Sequence, residues 1–224
     1  FAGVCVRPVL RREMPSVAPD VPLHMAEFLR FYVPLAMTPL LSMVVPPLLS
    51  AAMGRLPLAL ESLAAWPVLN GLVWSMRSFG TAMSEVTVAR LEQPGAARAL
   101  SRFALVLAAS TTGLALLMAA TPLADAWFED VTALTPDLSA LARSGLWLAL
   151  PMPALGVYQN WHQGILVVAR QTPAITGSVV VSLSVTALLL LAGVAWGGTD
   201  GVIVAMGATV LGAAAQNVRL GLAV

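Results

Sequence analysis

The chain has 224 residues, of which 58% are hydrophobic and 10% charged, with a mean hydropathy of +0.85. A soluble domain carries about 25% charged residues, so this inventory excludes a water-covered surface and makes lipid the expected solvent. The net charge of +1 excludes little; the placement of the charges says more, and all 12 basic residues are Arg.

Residues 1–27 read as the end of a preceding span followed by a cytoplasmic linker. "FAGVCV" is too short for a signal-peptide core and has no basic region before it. The expectation is therefore a piece of a longer protein, with Arg7, Arg11 and Arg12 flanking that earlier span. Pro8, Pro15, Pro19 and Pro22 break up residues 7–27. Cys5 is the only cysteine, so no disulfide can form within the chain.

A spanning helix needs roughly 20 apolar residues, and six charge-poor stretches of about that length follow in 28–224. The first, 31–54, reads "FYVPLAMTPLLSMVVPPLLSAAMG". Its Pro34, Pro39, Pro46 and Pro47 predict a bent helix, not a broken one. The second is about 62–84 and contains Arg77. A basic loop, 90–102, carries Arg90, Arg98 and Arg102. The third span is about 103–121. An acidic loop, 122–143, sets Asp125, Glu129, Asp130 and Asp137 against Arg143. The fourth span is about 144–169, the fifth about 174–196 and the sixth about 201–218. Short turns at Arg170–Pro173 and Gly197–Gly201 join the last three.

Arginine placement gives the expected orientation, because cytoplasmic loops carry the excess of basic residues. With the linker inside and the sides alternating, Arg7, Arg11, Arg12, Arg30, Arg90, Arg98, Arg102, Arg170 and Arg219 fall inside. Arg55 and Arg143 fall outside. Both ends are then cytoplasmic, in a membrane expected to be a bacterial inner membrane. Trp66, Trp127, Trp147 and Trp196 near outer ends, with Phe31, Tyr32 and Phe103 at inner ends, make an aromatic belt.

Residues that could carry chemistry are few. His24 and His162 are the only histidines. No metal-ligand cluster, phosphate-binding glycine loop, paired intramembrane carboxylate or catalytic set is legible, so neither an enzyme nor a cofactor is expected. Arg77 is the sharpest residue, because an ionisable side chain inside a span is a functional candidate by default. It lies roughly 22 Å into a core of about 30 Å, within snorkelling reach of the inner surface. The bland reading, anchoring or structural pairing, stands beside attraction of an anionic group in a wet cavity. Glu85 lies about 12 Å further along the axis, too far for direct pairing. It reads as interfacial.

The run "VYQNWHQGILVVARQTP" at 157–173 crowds Gln159, Asn160, His162 and Gln163 together. Gln159 and Gln163 are four apart and share a helix face; Tyr158 and His162 share the adjacent strip. Polar groups facing lipid are costly, so these face other helices or a cavity. Interhelical hydrogen bonding is the structural reading; cargo contact, or a proton relay through His162, is the functional one. Asn70, Ser75, Ser78 and Thr81 add polar groups to the second span, and Thr38 and Ser42 to the first. Serine and threonine in spans commonly bond their own backbone. Gly193, Gly207, Gly212 and Ala213–Ala215 read as close-packing residues.

The Pro-containing first span, with "GRLP" and "LESLAAWPV" after it, resembles the opening of a lobe in multidrug and toxic compound extrusion (MATE) transporters. "HQGILVVARQTPAITG", with Gly164, Leu166, Thr172 and Pro173, resembles the stretch after the fourth helix of such a lobe. More narrowly, "SMRSFGTAMSE" and "HQGIL" are similar to segments of the progressive ankylosis branch of the same flippase superfamily, on Arg77, Glu85 and His162. The resemblance covers roughly residues 28–220. It implies an all-α, six-helix lobe of a twelve-helix transporter, with a second lobe absent from this chain and alternating access driven by protons or sodium. In many members the first helix of the first lobe holds the coupling carboxylate; span 31–54 has no acid. The narrower likeness implies anionic cargo. The candidate path residues are Arg77, His162, Gln159, Gln163 and Asn70, with Glu85 as the candidate coupling acid. A flippase or exporter of anionic, phosphate-bearing or lipid-linked cargo is the alternative within transport, and a non-transporting membrane scaffold subunit the alternative of another class.

Overall fold

A computed structural model describes residues 25–93 and 95–224; the side chains of 26–31 and 34–36 are outside the description. The expected preceding span and most of the linker, with Arg7, Arg11 and Arg12, therefore lie outside the described residues. By its contacts the chain falls into two units, 1–33 and 34–224. The contacts below are within the second.

The described residues form helices and turns, with no strand among them. The helices are α1 (Met25–Ser42), α2 (Val45–Met53), α3 (Ala59–Ser78), α4 (Ala82–Arg90), α5 (Ala96–Ala120), α6 (Pro136–Leu148), α7 (Met152–Val168), α8 (Thr172–Trp196) and α9 (Gly201–Gly221). A single turn, Leu123–Asp125, and a π-helical turn, Ala126–Val131, precede α6. Three helices, α5, α8 and α9, are long and apolar enough to cross a membrane, and the α6–α7 pair, bent by 44°, brings the candidates to four.

The expected spans at 31–54, 62–84 and 144–169 are each interrupted. The first is interrupted at Met43–Val44. Pro46 and Pro47 open α2 and have no N–H to give the carbonyls of Ser42 and Met43. Yet the N–H groups of Met43, Val44 and Leu48 still donate to the carbonyls of Pro39, Leu41 and Val44, so Met37–Met53 remains one apolar helical stretch with a local turn in it, in keeping with a bent span. The second breaks at Phe79–Thr81. There Gly80 lies so close to Val157 that a Cβ would stand 3.0 Å from its side chain and 3.1 Å from its backbone, a tighter approach than a larger residue usually allows. The third breaks at Ala149–Pro151, and Pro151 caps α7. The loops are also shorter than expected. Arg98 and Arg102 are inside α5, because its first turns are Ala-rich helix formers. Part of the acidic loop is helical, because Pro136 starts α6 at its second-loop end. The turns at 170–173 and 197–201 fall where expected; Arg170 (φ 56°) and Gly197 (φ 64°) take left-handed backbone there.

The segments alternate between two ends. At one, the N–H of Gly201 donates to the carbonyl of Pro57 at 3.4 Å, Gly201 packs on Met53 and Ser62, and Gly145 packs on Leu69 and Val202. Arg143 bonds Asp125 and the carbonyls of Ala119 and Thr121 there. At the other, Gly164 packs on Ser84 and Thr87, and Leu166, Ile175 and Leu220 cluster. Arg55 and Arg143 thus share one end. Arg90, Arg98, Arg102, Arg170 and Arg219 are carried by segments that meet at the other.

The core lies toward the Arg55 end, around Met53, Leu69, Phe128, Leu146 and Met206. Trp66 belongs to this core and not to an aromatic belt; Trp147, Trp196 and Phe103 are exposed. Small residues set the tightest helix pair, α8 with α9: Gly193 lies against Val204, and Gly212 against Ser182 and Thr186. Close backbone approach of this kind replaces the hydrophobic driving force that lipid removes. Gly207 instead faces open space. Leu188 (66% exposed) and Leu191 (67%) on α8 point outward, at no cost if lipid surrounds them.

Candidate functional site

A polar cavity of about 360 Å³ lies between α1, α2, α3, α7, α8 and α9. Among the described residues that line it, Arg77 is the one charged side chain and none is a carboxylate. Around Arg77 stand neutral donors and acceptors: Gln159 and Gln163 on α7, Ser182 and Thr186 on α8, and Gln216 on α9.

All three helix interruptions reach this cavity. Ser42 and Val45 flank the α1–α2 break, Arg77 sits in the last turn before the α3–α4 break, and Met152 starts the helix after the α6–α7 break. The helix end below Arg77 is tightly closed, with the hydroxyls of Ser78 and Thr81 bonded to the carbonyls of Ser75 and Ser78. Arg77 stands where a cation offsets the negative end of α3. Its side chain crosses to α7: a guanidinium N–H donates to Oε1 of Gln159 at 3.3 Å. Its stem lies on Gly156, where an added Cβ would stand 3.3 Å from Nε.

Of the candidate path residues, Arg77, Gln159 and Gln163 meet at this cavity, together with Thr38 and Ser42 of the first span. Gln159 and Gln163 line it together, as their four-residue spacing requires. His162 is on the adjacent strip and turns elsewhere: its ring lies 5.0 Å from Trp161 and 6.5 Å from Tyr158, with Gly221 beside Nε2. Asn160 bonds the Gly156 carbonyl at 2.8 Å. Asn70 is exposed on α3, outside the cavity. Ser42 and Ser75 bond their own backbones, whereas Thr38 meets the hydroxyl of Thr176 on α8 at 3.2 Å.

Glu85 lines a second, larger space of about 710 Å³ toward the Arg90 end, with Ser84, Val88, Gly164 and Ile175. Thr38 and Gln163 line both spaces. The ion pair among the described residues is Arg143 with Asp125 at 2.6 Å, not Arg77 with Glu85. No group of three or more His, Cys, Asp or Glu among the described residues could hold a metal ion.

Ser182, Thr186, Thr209 and Gln216 were not singled out in the sequence. Their signal was present: Ser182 and Thr186 are four apart and Thr209 and Gln216 seven apart, which makes polar stripes on otherwise apolar helices.

Comparison with known proteins adds no relative: no family model, no curated protein and no solved structure matches the chain.

Proposed function

We propose that the chain is one six-pass lobe of a secondary active transporter of the MATE-like kind, with cargo crossing by alternating access between this lobe and a second one. The observation that carries the reading is the convergence of three interrupted helices on one polar cavity holding Arg77. Interrupted helices at the substrate site are a recurring device of secondary transporters. Irregular backbone at membrane depth is tolerated where it is buried in protein or lines a wet cavity.

On this reading Arg77 attracts the negative charge of an anionic or phosphate-bearing cargo, and the glutamine amides and hydroxyls complete its hydrogen bonds. His162 and Asn70 lie off that path, and Glu85 belongs to the approach to it. The Arg90 end is cytoplasmic, following the arginine excess, and the Arg55 end faces outward.

A scaffold is favoured by one observation, the Arg77–Gln159 hydrogen bond, which would also serve as interhelical glue. One experiment separates the two. In a Cys5→Ala background of the full-length membrane protein, Ser182→Cys should react with a water-borne thiol reagent, while Leu146→Cys in the core should not. Arg77→Ala, inserted normally, should reduce efflux at least tenfold. An unreactive Ser182→Cys together with undiminished efflux would leave only the scaffold.

A further inference from the structure

The two spaces are arranged in series, and four segments cross from one to the other at a single level. On α1, Pro39 lines the outer space and Ser42 the inner one, with Thr38 lining both. On α7, Gly164 and Val167 line the outer space and Gln159 the inner one, with Gln163 lining both. On α8, Ile175 faces the outer space and Val179 the inner one. Between Arg77 in the inner space and Ser84 and Glu85 in the outer one falls the α3–α4 break. At this level the hydroxyls of Thr38 and Thr176 meet across α1 and α8 at 3.2 Å.

We propose that Thr38, Thr176 and Gln163 form a gate between the Glu85 vestibule and the Arg77 cavity, closed in this structure by the Thr38–Thr176 hydrogen bond. The proposal rests on the transport reading for its purpose but not for its test.

Three features suit these residues to the task. A neutral hydrogen bond such as that between Thr38 and Thr176 contributes about 1 kcal/mol net, enough to favour a closed state and small enough for an open one to form. Residues 37–42 meet α2 at the two-residue turn Met43–Val44, and element-terminal residues of this kind are where hinges form. Gln163 presents an amide that can bond a hydroxyl or a passing cargo from either side. The vestibule carries Glu85 and the cavity carries Arg77. An anion entering from the Arg90 end therefore passes a repelling group before an attracting one, and an open gate is needed for the attraction to act over a wet path.

The test uses the full chain in membranes, in a Cys5→Ala background, with Thr38→Cys, Thr176→Cys and a reporter, Ser182→Cys. A membrane-impermeant thiol reagent is applied from the Arg90 side. Oxidation should join positions 38 and 176, slow labelling of the reporter at least tenfold, and be reversed by a reductant. In a separate chain, Thr38→Val with the same reporter should speed labelling about fivefold, as loss of about 1 kcal/mol from the closed state requires. The gate is overturned if the pair does not cross-link, or if labelling is indifferent to the cross-link and to Thr38→Val. A gate that closes labelling while Arg77→Ala leaves efflux intact would retain the gate and remove the cargo reading instead.

Discussion

Arg77 and Gln159, 82 residues apart in the chain, are joined by a guanidinium-to-amide hydrogen bond of 3.3 Å beside the polar cavity. The acceptor is neutral, so Arg77 keeps its full charge for whatever enters. Gln159→Glu would turn this bond, already charge-assisted through the guanidinium, into an ion pair, stronger by about 1 kcal/mol. It would also neutralise the cavity. The variant is expected to unfold at a higher temperature in detergent and to lose transport at least tenfold. Higher stability with undiminished transport would assign Arg77 to structure alone.

Glycines 207 and 212 lie on one helix and have opposite expectations. A Cβ on Gly212 would run into Thr186 and stand 3.0 Å from the carbonyl of Ser182, whereas one on Gly207 meets nothing within 4 Å. Gly212→Ala should cost about 1–3 kcal/mol by overpacking. Gly207→Ala should leave stability unchanged or raise it by up to about 1 kcal/mol through helix propensity. Thermal unfolding of both variants in detergent checks the contrast.

The Arg143–Asp125 pair is short, at 2.6 Å, but its side chains are 32% and 40% exposed. Exposed pairs contribute about 0–1 kcal/mol because solvent screens them. Asp125→Asn should therefore shift stability by less than about 1 kcal/mol. Arg143→Gln should cost more, because Arg143 also donates to the carbonyls of Ala119 and Thr121. Equal losses in the two variants would mean that those backbone bonds contribute nothing.

Asp130 and Gln171 are both exposed and lie in connections at opposite ends of the helix bundle. In a Cys5→Ala background, Asp130→Cys should be labelled by an impermeant reagent in intact cells, and Gln171→Cys only after the membrane is opened. The reverse pattern would invert the orientation drawn from the arginines.

Much of the framework was legible in the residues. Composition alone indicates a lipid solvent, because so few charges cannot cover a wet surface. Unbroken apolar runs locate α5, α8 and α9, and the short polar or glycine-rich stretches Arg170–Pro173 and Gly197–Gly201 locate the turns between α7, α8 and α9. The four-residue spacing of Gln159 and Gln163 gives them a common face. Periodicity, however, shows which residues share a face and not which face meets which neighbour. Only the tertiary structure paired Arg77 with Gln159, turned His162 one strip away toward Trp161, left Asn70 exposed and brought Gln216 from α9 to the cavity. The helix breaks were decided there too. Proline and glycine are common inside membrane helices, and those that fall at or beside a turn, as Pro46, Gly80 and Pro151 do here, are set by how neighbouring helices meet the freed backbone groups.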